Sequence, residues 1–307
     1  MFPDISGSTL QYLNDLNRTT QNINQTSSQI SSGTRVQQPS DAPADIAEIL
    51  QLQANIGANH QVQTNLSNAS AEVNGADSSL QTVISILQKA QALASQGANS
   101  GATAAQRADL AQQVAGLQSE IIAASQTQIN GMFIFSGDQE TGPQYQADPT
   151  ASNGVQQLFS TSATRTITDT SGTAISVALT AQQIFDPRNP DQTPASGNTF
   201  TAINDLLTSL RNNDQAGITN AAGELNNANN YVNQQLTFYG EAESRIADAT
   251  SLAQKFQTQQ QADLSQLRDT DQAAAAVALN QEQVQEQASV SVESNILQMR
   301  NIFYYIA

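Results

Sequence analysis

The side chains that most often carry out chemistry in enzymes are scarce in this chain. His60 is the single histidine and cysteine is absent, which excludes His-based triads, multi-histidine metal sites, thiolate nucleophiles and disulfides. Carboxylates occur in close pairs, Glu241 with Glu243 and Asp269 with Asp271, but residues two apart on a helix point to different faces. We therefore interpret His60 and these carboxylates as solvated side chains. Since the sequence also has no P-loop, dinucleotide fingerprint or zinc-protease motif, it predicts a protein that is not an enzyme and has no catalytic residue, cofactor or metal site.

The most regular spacing in the sequence belongs to apolar residues near both ends, and the chemistry that it favours is association. The first stripe advances in alternating steps of three and four, as on one face of a helix. Its members are Leu13, Leu16, Thr20, Ile23, Ser27 and Ile30. The second stripe consists of Ala274, Val277, Val284, Ala288, Val292, Ile296, Met299 and Phe303. Both stripes are thin and contain polar positions, so an isolated pair would bury little apolar area, and we expect these helices to pair with each other and with further copies of the chain.

Composition and charge narrow the class of partners. The net charge of −16 argues against nucleic acid, whose phosphates need clustered cations, and against an anionic membrane surface. Aromatic residues make up 5% of the 307 residues and tryptophan is absent, so a thick core or a large ligand pocket is not expected. The first thirty residues lack the pattern of a cleaved signal peptide, which predicts either a cytosolic protein or export by a route without one.

Periodicity predicts a mainly α-helical fold. A first helix is expected over residues 8–32 with Gly33 as its left-handed cap, and Ser40 or Asp41 is expected to cap the next helix after the prolines of the linker. That next helix carries a coiled-coil seam with alternating large and small residues. The seam consists of Leu66, Ala69, Val73, Ala76, Leu80, Val83, Leu87, Ala90 and Ala94. A further helix over residues 104–129 is its expected antiparallel neighbour, and a long stripe from Ile218 to Ala253 predicts another helix that continues toward the C-terminus.

The middle of the chain predicts a small β-rich insert. The apolar run 132–135 resembles a buried strand, and segments 165–170 and 174–179 alternate with period two. The predicted organisation is an elongated coiled-coil helical bundle in which residues 1–43 and 264–307 form a terminal coiled-coil domain. Residues 44–139 and 200–263 form an axial bundle, and residues 140–199 form the β-rich outer insert.

Three motifs resemble those of the flagellin superfamily. The segment 30–43, ISSGTRVQQPSDAP, resembles the superfamily signature in which a helix ends in S-S/T-G before a basic residue and a downstream acidic residue and proline. Its proline-bracketed form, the segment 130–137 (NGMFIFSG) and the aromatic end 302–306 (IFYYI) are more similar to the hook-filament junction proteins, or hook-associated protein 3 family, than to flagellin itself. The opening MFPDIS differs from the M-R-I-[ST] start of that family.

The resemblance implies a structural role in the bacterial flagellum. The family members form an inner layer from their terminal helices, are exported through the flagellar type III apparatus without a cleaved signal, and assemble outside the cell for motility. The implied partners are copies of the chain in a ring, hook-associated protein 1, flagellin and an export chaperone. The resemblance thus implies the junction subunit between the hook-associated protein 1 ring and the filament, built by coupled folding and assembly of the terminal helices.

Residues from both stripes form the predicted assembly seam. They are Leu13, Leu16, Ile23, Ile30, Val284, Val292, Ile296, Met299 and Phe303. The alternative is a flagellin filament subunit that polymerises with itself. A secreted enzyme carried on the insert would be a third class, but about sixty residues without His or Cys leave little chemistry for it.

Overall fold

The computed structural model describes the backbone of residues 7–139, 141–161 and 165–306 and the side chains of residues 10–139, 141–161 and 165–295. Contacts divide the chain into two compact units. The first, here the terminal unit, comprises residues 1–58 and 257–307, and the second, the central unit, comprises residues 59–256. The three-part division predicted from the sequence, with boundaries at 43, 139, 200 and 264, stays a prediction.

Four helices supply most of the framework: α2 (Ile46–Gly97), α3 (Ala104–Ser125), α5 (Thr199–Arg211) and α6 (Gln215–Arg268). All nine residues of the α2 seam are buried, none more than 3% exposed. They join one core with the apolar faces of α3, α5 and α6, including Val114, Ile203, Leu206 and Leu225. This core forms because each helix has a continuous apolar stripe that its neighbours cover.

Helix α3 begins and ends for local reasons. The Thr103 hydroxyl accepts from the amide of Gln106, whose side chain accepts from the amide of Thr103 in return, which completes a capping box. The predicted end at residue 129 is wrong, because Gln128–Ile129 (β1) pairs with Met132–Phe133 (β2). Asn130 and Gly131 join these strands with φ values of 53° and 81°, the left-handed conformation that a two-residue hairpin turn requires.

The insert contains two more hairpins, within the described residues. Tyr145–Ala147 (β3) pairs with Val155–Gln157 (β4), and Thr166–Thr168 (β5) pairs with Ala174–Ser176 (β6), all antiparallel. A short helix, α4 (Ala181–Phe185), follows. The predicted fold class, mainly helical with a small β-rich part, is confirmed.

A buried carboxylate fixes the insert to the helices. Asp186 is fully buried, and its Oδ2 accepts hydrogen bonds from the Tyr145 hydroxyl at 2.7 Å and from the Arg188 guanidinium. Asn198 donates to its Oδ1 at 2.6 Å and also caps α5 by accepting from the amide of Thr201. Burial and then the Asp186 charge raise the pKa of Tyr145, so the phenol remains a donor.

The terminal unit contains α1 (Gly7–Ser32), α7 (Gln272–Ile306), the start of α2 and the end of α6. Helix α1 ends where predicted, because Gly33 takes the left-handed conformation with φ of 72°. The terminal unit has a small buried apolar cluster. It consists of Val36, Ala42, Ile49 and Leu264, with Leu52, Ile56 and Leu267 packed against them. The expected continuity from α6 into α7 is interrupted at residues 269–271.

The helix surfaces carry neutral hydrogen-bonded pairs at i, i+4 spacing. On α2, Gln51 donates to Asn55 at 2.9 Å and Gln61 donates to Asn65 at 3.0 Å. On α6, the Asn233 amide donates to the side chain of Asn229 at 2.9 Å. These pairs occupy positions where other helices carry ion pairs.

Candidate assembly surface

Helices α1 and α7 lie antiparallel. At one end Thr34 forms an isolated β-bridge with Asp269, and the amide of Thr270 donates to the carbonyl of Gly33 at 3.0 Å. Farther along, the Thr20 hydroxyl lies 3.4 Å from Oε1 of Glu286. As residue numbers rise along α1 they fall along α7, and the described parts of these two helices contact each other, as the sequence predicted for the two ends of the chain.

The face of α1 toward α7 partly matches the predicted stripe. Its half-buried residues are Tyr12, Leu16, Thr19, Ile23, Thr26, Gln29 and Ile30. Of the predicted seam residues on α1, Leu16, Ile23 and Ile30 therefore lie on this face, whereas Leu13 is 43% exposed. On this face apolar residues recur every seven positions, at Leu16, Ile23 and Ile30, and polar residues lie between them.

The face of α7 toward α1 differs from the predicted stripe. It begins with small or apolar residues, Ala275, Ala278 and Leu279, and continues with the residues that we call the acidic face. The acidic face is Glu282, Glu286, Ser289 and Glu293, all half-buried. The sequence reasoning missed this face because it followed apolar residues alone.

The predicted C-terminal stripe lies on the outside of this pair. Its described members are Ala274 and the four residues that we call the valine face: Val277, Val284, Ala288 and Val292. Val284 is 65% exposed, and Val277 and Val292 are each 57% exposed. The expectation that the two predicted stripes pack on each other within one chain is therefore wrong for α7. The side chains of Ile296, Met299 and Phe303 lie outside the described residues, and the assignment of all nine residues to an assembly seam stays a prediction.

The signature segment after α1 joins three helix ends. The guanidinium of Arg35 donates to the Leu267 carbonyl at 2.6 Å and lies 3.3 Å from the Asp45 carboxylate, while its backbone amide donates to the Arg268 carbonyl at 2.7 Å. Arg35 follows α1, Asp45 precedes α2 and Arg268 ends α6. The side chain and backbone of Arg35 therefore link the end of α1 to the start of α2 and to the end of α6.

Asp41 has a different role from the predicted cap. Its Oδ2 accepts from the backbone amides of Gln37 and Gln38 at 2.9 and 2.8 Å, so the carboxylate points back along the chain and closes a turn. Helix α2 begins at Ile46, later than the proline pattern predicted.

At the end of α6, the Ser265 hydroxyl and then the Arg268 guanidinium lower the pKa of Asp269.

Two family models match the chain. The N-terminal helical region of bacterial flagellin matches residues 6–140, and its C-terminal helical region matches residues 222–306, together more than half of the chain. The chain therefore belongs to the flagellin superfamily, as its motifs implied. It is a structural protein and not an enzyme.

Solved structures share the fold at low sequence identity. A structure from Vibrio parahaemolyticus, described as that of a flagellar hook-associated protein, is 19% identical with a TM-score of 0.65 and covers 75% of this chain and 100% of its own. FlgL of Xanthomonas campestris is 13% identical with a TM-score of 0.57, covering 70% and 99%. The flagellar junction protein FlgL of Legionella pneumophila is 12% identical with a TM-score of 0.54, covering 73% and 99%. No curated protein matches the chain. Among the described helices, none is long and apolar enough to cross a membrane.

Proposed function

We propose that this chain is the junction subunit of a bacterial flagellum, located between a ring of hook-associated protein 1 and the flagellin filament. The observation that carries the proposal is that the valine face of α7 is exposed to solvent. This helix lies in the region that matches the C-terminal helical region of bacterial flagellin. A soluble chain gains nothing from exposing three valines in one row, whereas a subunit in a ring can cover them with neighbouring copies.

Sequence features favour the junction over the filament. The proline-bracketed segment 39–43 and the aromatic end 303–305 are the features that differ from flagellin. The fold similarity to the Legionella pneumophila protein named as a flagellar junction protein supports the same choice. A junction subunit needs one face for the ring and another for flagellin, so its growth with itself should be disfavoured.

Assembly would follow export. In this proposal the chain leaves the cell unfolded through the flagellar type III apparatus, with an export chaperone as its partner before secretion. The terminal helices then order when they pack against neighbours, because alone they bury too little apolar area to offset their conformational entropy.

Loss of the gene tests this role directly. Cells without the protein should secrete flagellin into the medium and lose motility, and the wild-type gene should restore filaments. The purified chain should add to isolated hook-basal bodies that lack it, and these should then nucleate labelled flagellin. Long regular filaments grown from this chain alone would instead establish the filament subunit.

A further inference from the structure

The four long helices of the central unit pack in the closed order α2–α3–α5–α6. Helix α3 is hydrogen-bonded through side chains to α2 and to α5, and α6 is hydrogen-bonded in the same way to α2 and to α5. The pair α2–α3 and the pair α5–α6 therefore form opposite sides of this unit.

The α2–α3 side has an apolar groove, which we call the lysine groove. It has a volume of about 290 Å³ and is lined by Lys89, Ala92, Leu93, Gln113 and Leu117. Lys89 is exposed, is one of two lysines in the sequence, and forms no ion pair with any residue that the structure describes. An apolar groove beside an ammonium group fits a partner surface that carries a carboxylate.

The α5–α6 side carries the residues that we call the carboxyl pair, Asp205 and Glu224. Asp205 is half-buried and is hydrogen-bonded to Glu224, which is exposed. Within the described part of the chain, no Lys or Arg charge acts on either group. A cation placed beside two adjacent carboxyl groups stabilises their charged forms, so this side fits a partner surface that carries an ammonium group.

The lysine groove and the carboxyl pair lie at the same height along the helices. Helices α2 and α6 are antiparallel, and the Asn229 side chain of α6 donates to the Ile84 carbonyl of α2 at 3.5 Å. Lys89 follows Ile84 by five residues, and Glu224 precedes Asn229 by five residues. Each is therefore displaced from that contact by about 7.5 Å in the same direction.

Helices α3 and α5 show the same alignment. They are antiparallel, and the Gln118 side chain donates to Asn204 at 3.2 Å. Leu117 of the groove precedes Gln118, and Asp205 of the carboxyl pair follows Asn204. Copies that stand side by side at one height would thus bring the groove of one copy against the carboxyl pair of the next.

Each side also has an exposed helix glycine that packing within the chain does not require. Gly116 precedes Leu117 on α3, and Gly223 precedes Glu224 on α6. A Cβ atom added to either glycine would meet no atom within 4 Å. Glycine inside a helix is less stable than alanine, but it lets another backbone approach closely. Both sides therefore favour the close approach of a neighbour.

We propose that neighbouring copies in the assembled ring contact each other through these two sides, with Lys89 of one copy paired to Glu224 and Asp205 of the next. This inference rests on the proposed function, because the ring supplies the second copy. The contact joins two different surfaces, so each copy offers one to each neighbour and the contacts can close into a ring. Because every copy has a net charge of −16, repulsion disfavours other orientations and this pairing selects one.

Charge reversal on both sides tests this contact. Lys89→Glu and Glu224→Lys are made singly and together in one chain, and incorporation into isolated hook-basal bodies that lack the chain is measured. Each single reversal should lower incorporation at least about tenfold, because it places like charges against each other. The double reversal should restore incorporation, because every contact again joins opposite charges. Lys255→Glu and Glu241→Lys, at exposed positions on α6, are the matched controls and should incorporate as the wild type does.

Cysteines provide a second measurement, since the natural chain has none. Lys89→Cys with Glu224→Cys, treated with a short thiol cross-linker after incorporation, should give covalent multimers. The same variant should stay monomeric in dilute solution, because the two positions lie on opposite sides of one chain.

Three results would contradict the contact while the proposed function stands. They are single reversals that incorporate as the wild type does, a double reversal that stays as low as the single ones, and incorporated cysteine variants that give no multimers. If the wild-type chain does not incorporate at all, the proposed function is wrong, and the ring contact with it.

Discussion

The central unit and the terminal unit both contain long helices but bury very different surfaces. In the central unit, each helix stripe is covered, and Leu66, Val73, Leu80 and Val83 are all fully buried. In the terminal unit, Val284 is largely exposed and Glu282 is partly enclosed. The difference indicates that the central unit is complete as a single chain, whereas the terminal unit is not.

The largest effect should come from a charge on the valine face. We expect Val284→Asp to abolish incorporation into hook-basal bodies, because assembly would bury an unpaired carboxylate, while thermal unfolding of the central unit stays unchanged. Gln287→Asp is the matched control, since it adds the same charge to the same helix away from both faces. Wild-type incorporation of Val284→Asp would remove the valine face from the assembly seam.

A second comparison concerns one leucine in each unit. Leu80→Ala should lower the free energy of unfolding by about 3 kcal/mol, because it leaves a cavity in a sealed core. Leu16→Ala, at a half-buried position on α1, should change the main transition by less than about 0.5 kcal/mol. Urea unfolding followed by circular dichroism measures both. Equal losses would contradict the distinction between the units.

Removing the charges of the acidic face should tighten the terminal pair in the free chain. For the triple variant Glu282→Gln, Glu286→Gln and Glu293→Gln, we expect amide exchange in α1 to slow by roughly fivefold, or about 1 kcal/mol, because the amides keep the shape without the charge. Exposed carboxylates on α6, changed by Glu241→Gln with Glu243→Gln, provide the control. Unchanged exchange in α1 would show that these carboxylates do not weaken the pair.

The smallest expected effect is a change of stability with pH that comes from two carboxyl groups in the central unit, Asp205 and Glu224. Burial raises the pKa of Asp205, and burial followed by the Asp205 charge raises that of the hydrogen-bonded Glu224. The folded chain therefore binds protons at these two carboxyl groups more tightly than the unfolded chain does. The stability that this pair contributes is fully present below about pH 4, and it is lost as the pH rises through the raised pKa values of the folded chain.

Asp205→Asn should remove this loss and raise stability at pH 7 by no more than about 0.5 kcal/mol, since solvent screens both groups. Urea midpoints at pH 4 and pH 7 check the sign, with the exposed Glu241→Gln as control. An identical change with pH in the wild type and in Asp205→Asn would contradict the raised pKa values.

Sequence reasoning succeeded where burial is decided by one helix stripe. The α2 seam from Leu66 to Ala94 and the end of α1 at Gly33 were predicted because apolar period and left-handed glycine are local signals. It failed on α7, where tertiary packing places carboxylates inward. It also missed Asp186, whose partners Tyr145 and Asn198 are distant in sequence. No local pattern identifies such a network in advance.

The neutral pairs on the helix surfaces have a consequence for ionic strength. At physiological ionic strength, salt largely screens exposed charges that are more than about 8 Å apart and weakens surface ion pairs. It has little effect on a hydrogen bond between two neutral amides such as Gln61 and Asn65. Salt also weakens the mutual repulsion of a chain with net charge −16. The helices of this protein should therefore lose little stability at high ionic strength. Subunits of like charge can also approach one another more closely at high ionic strength than at low ionic strength.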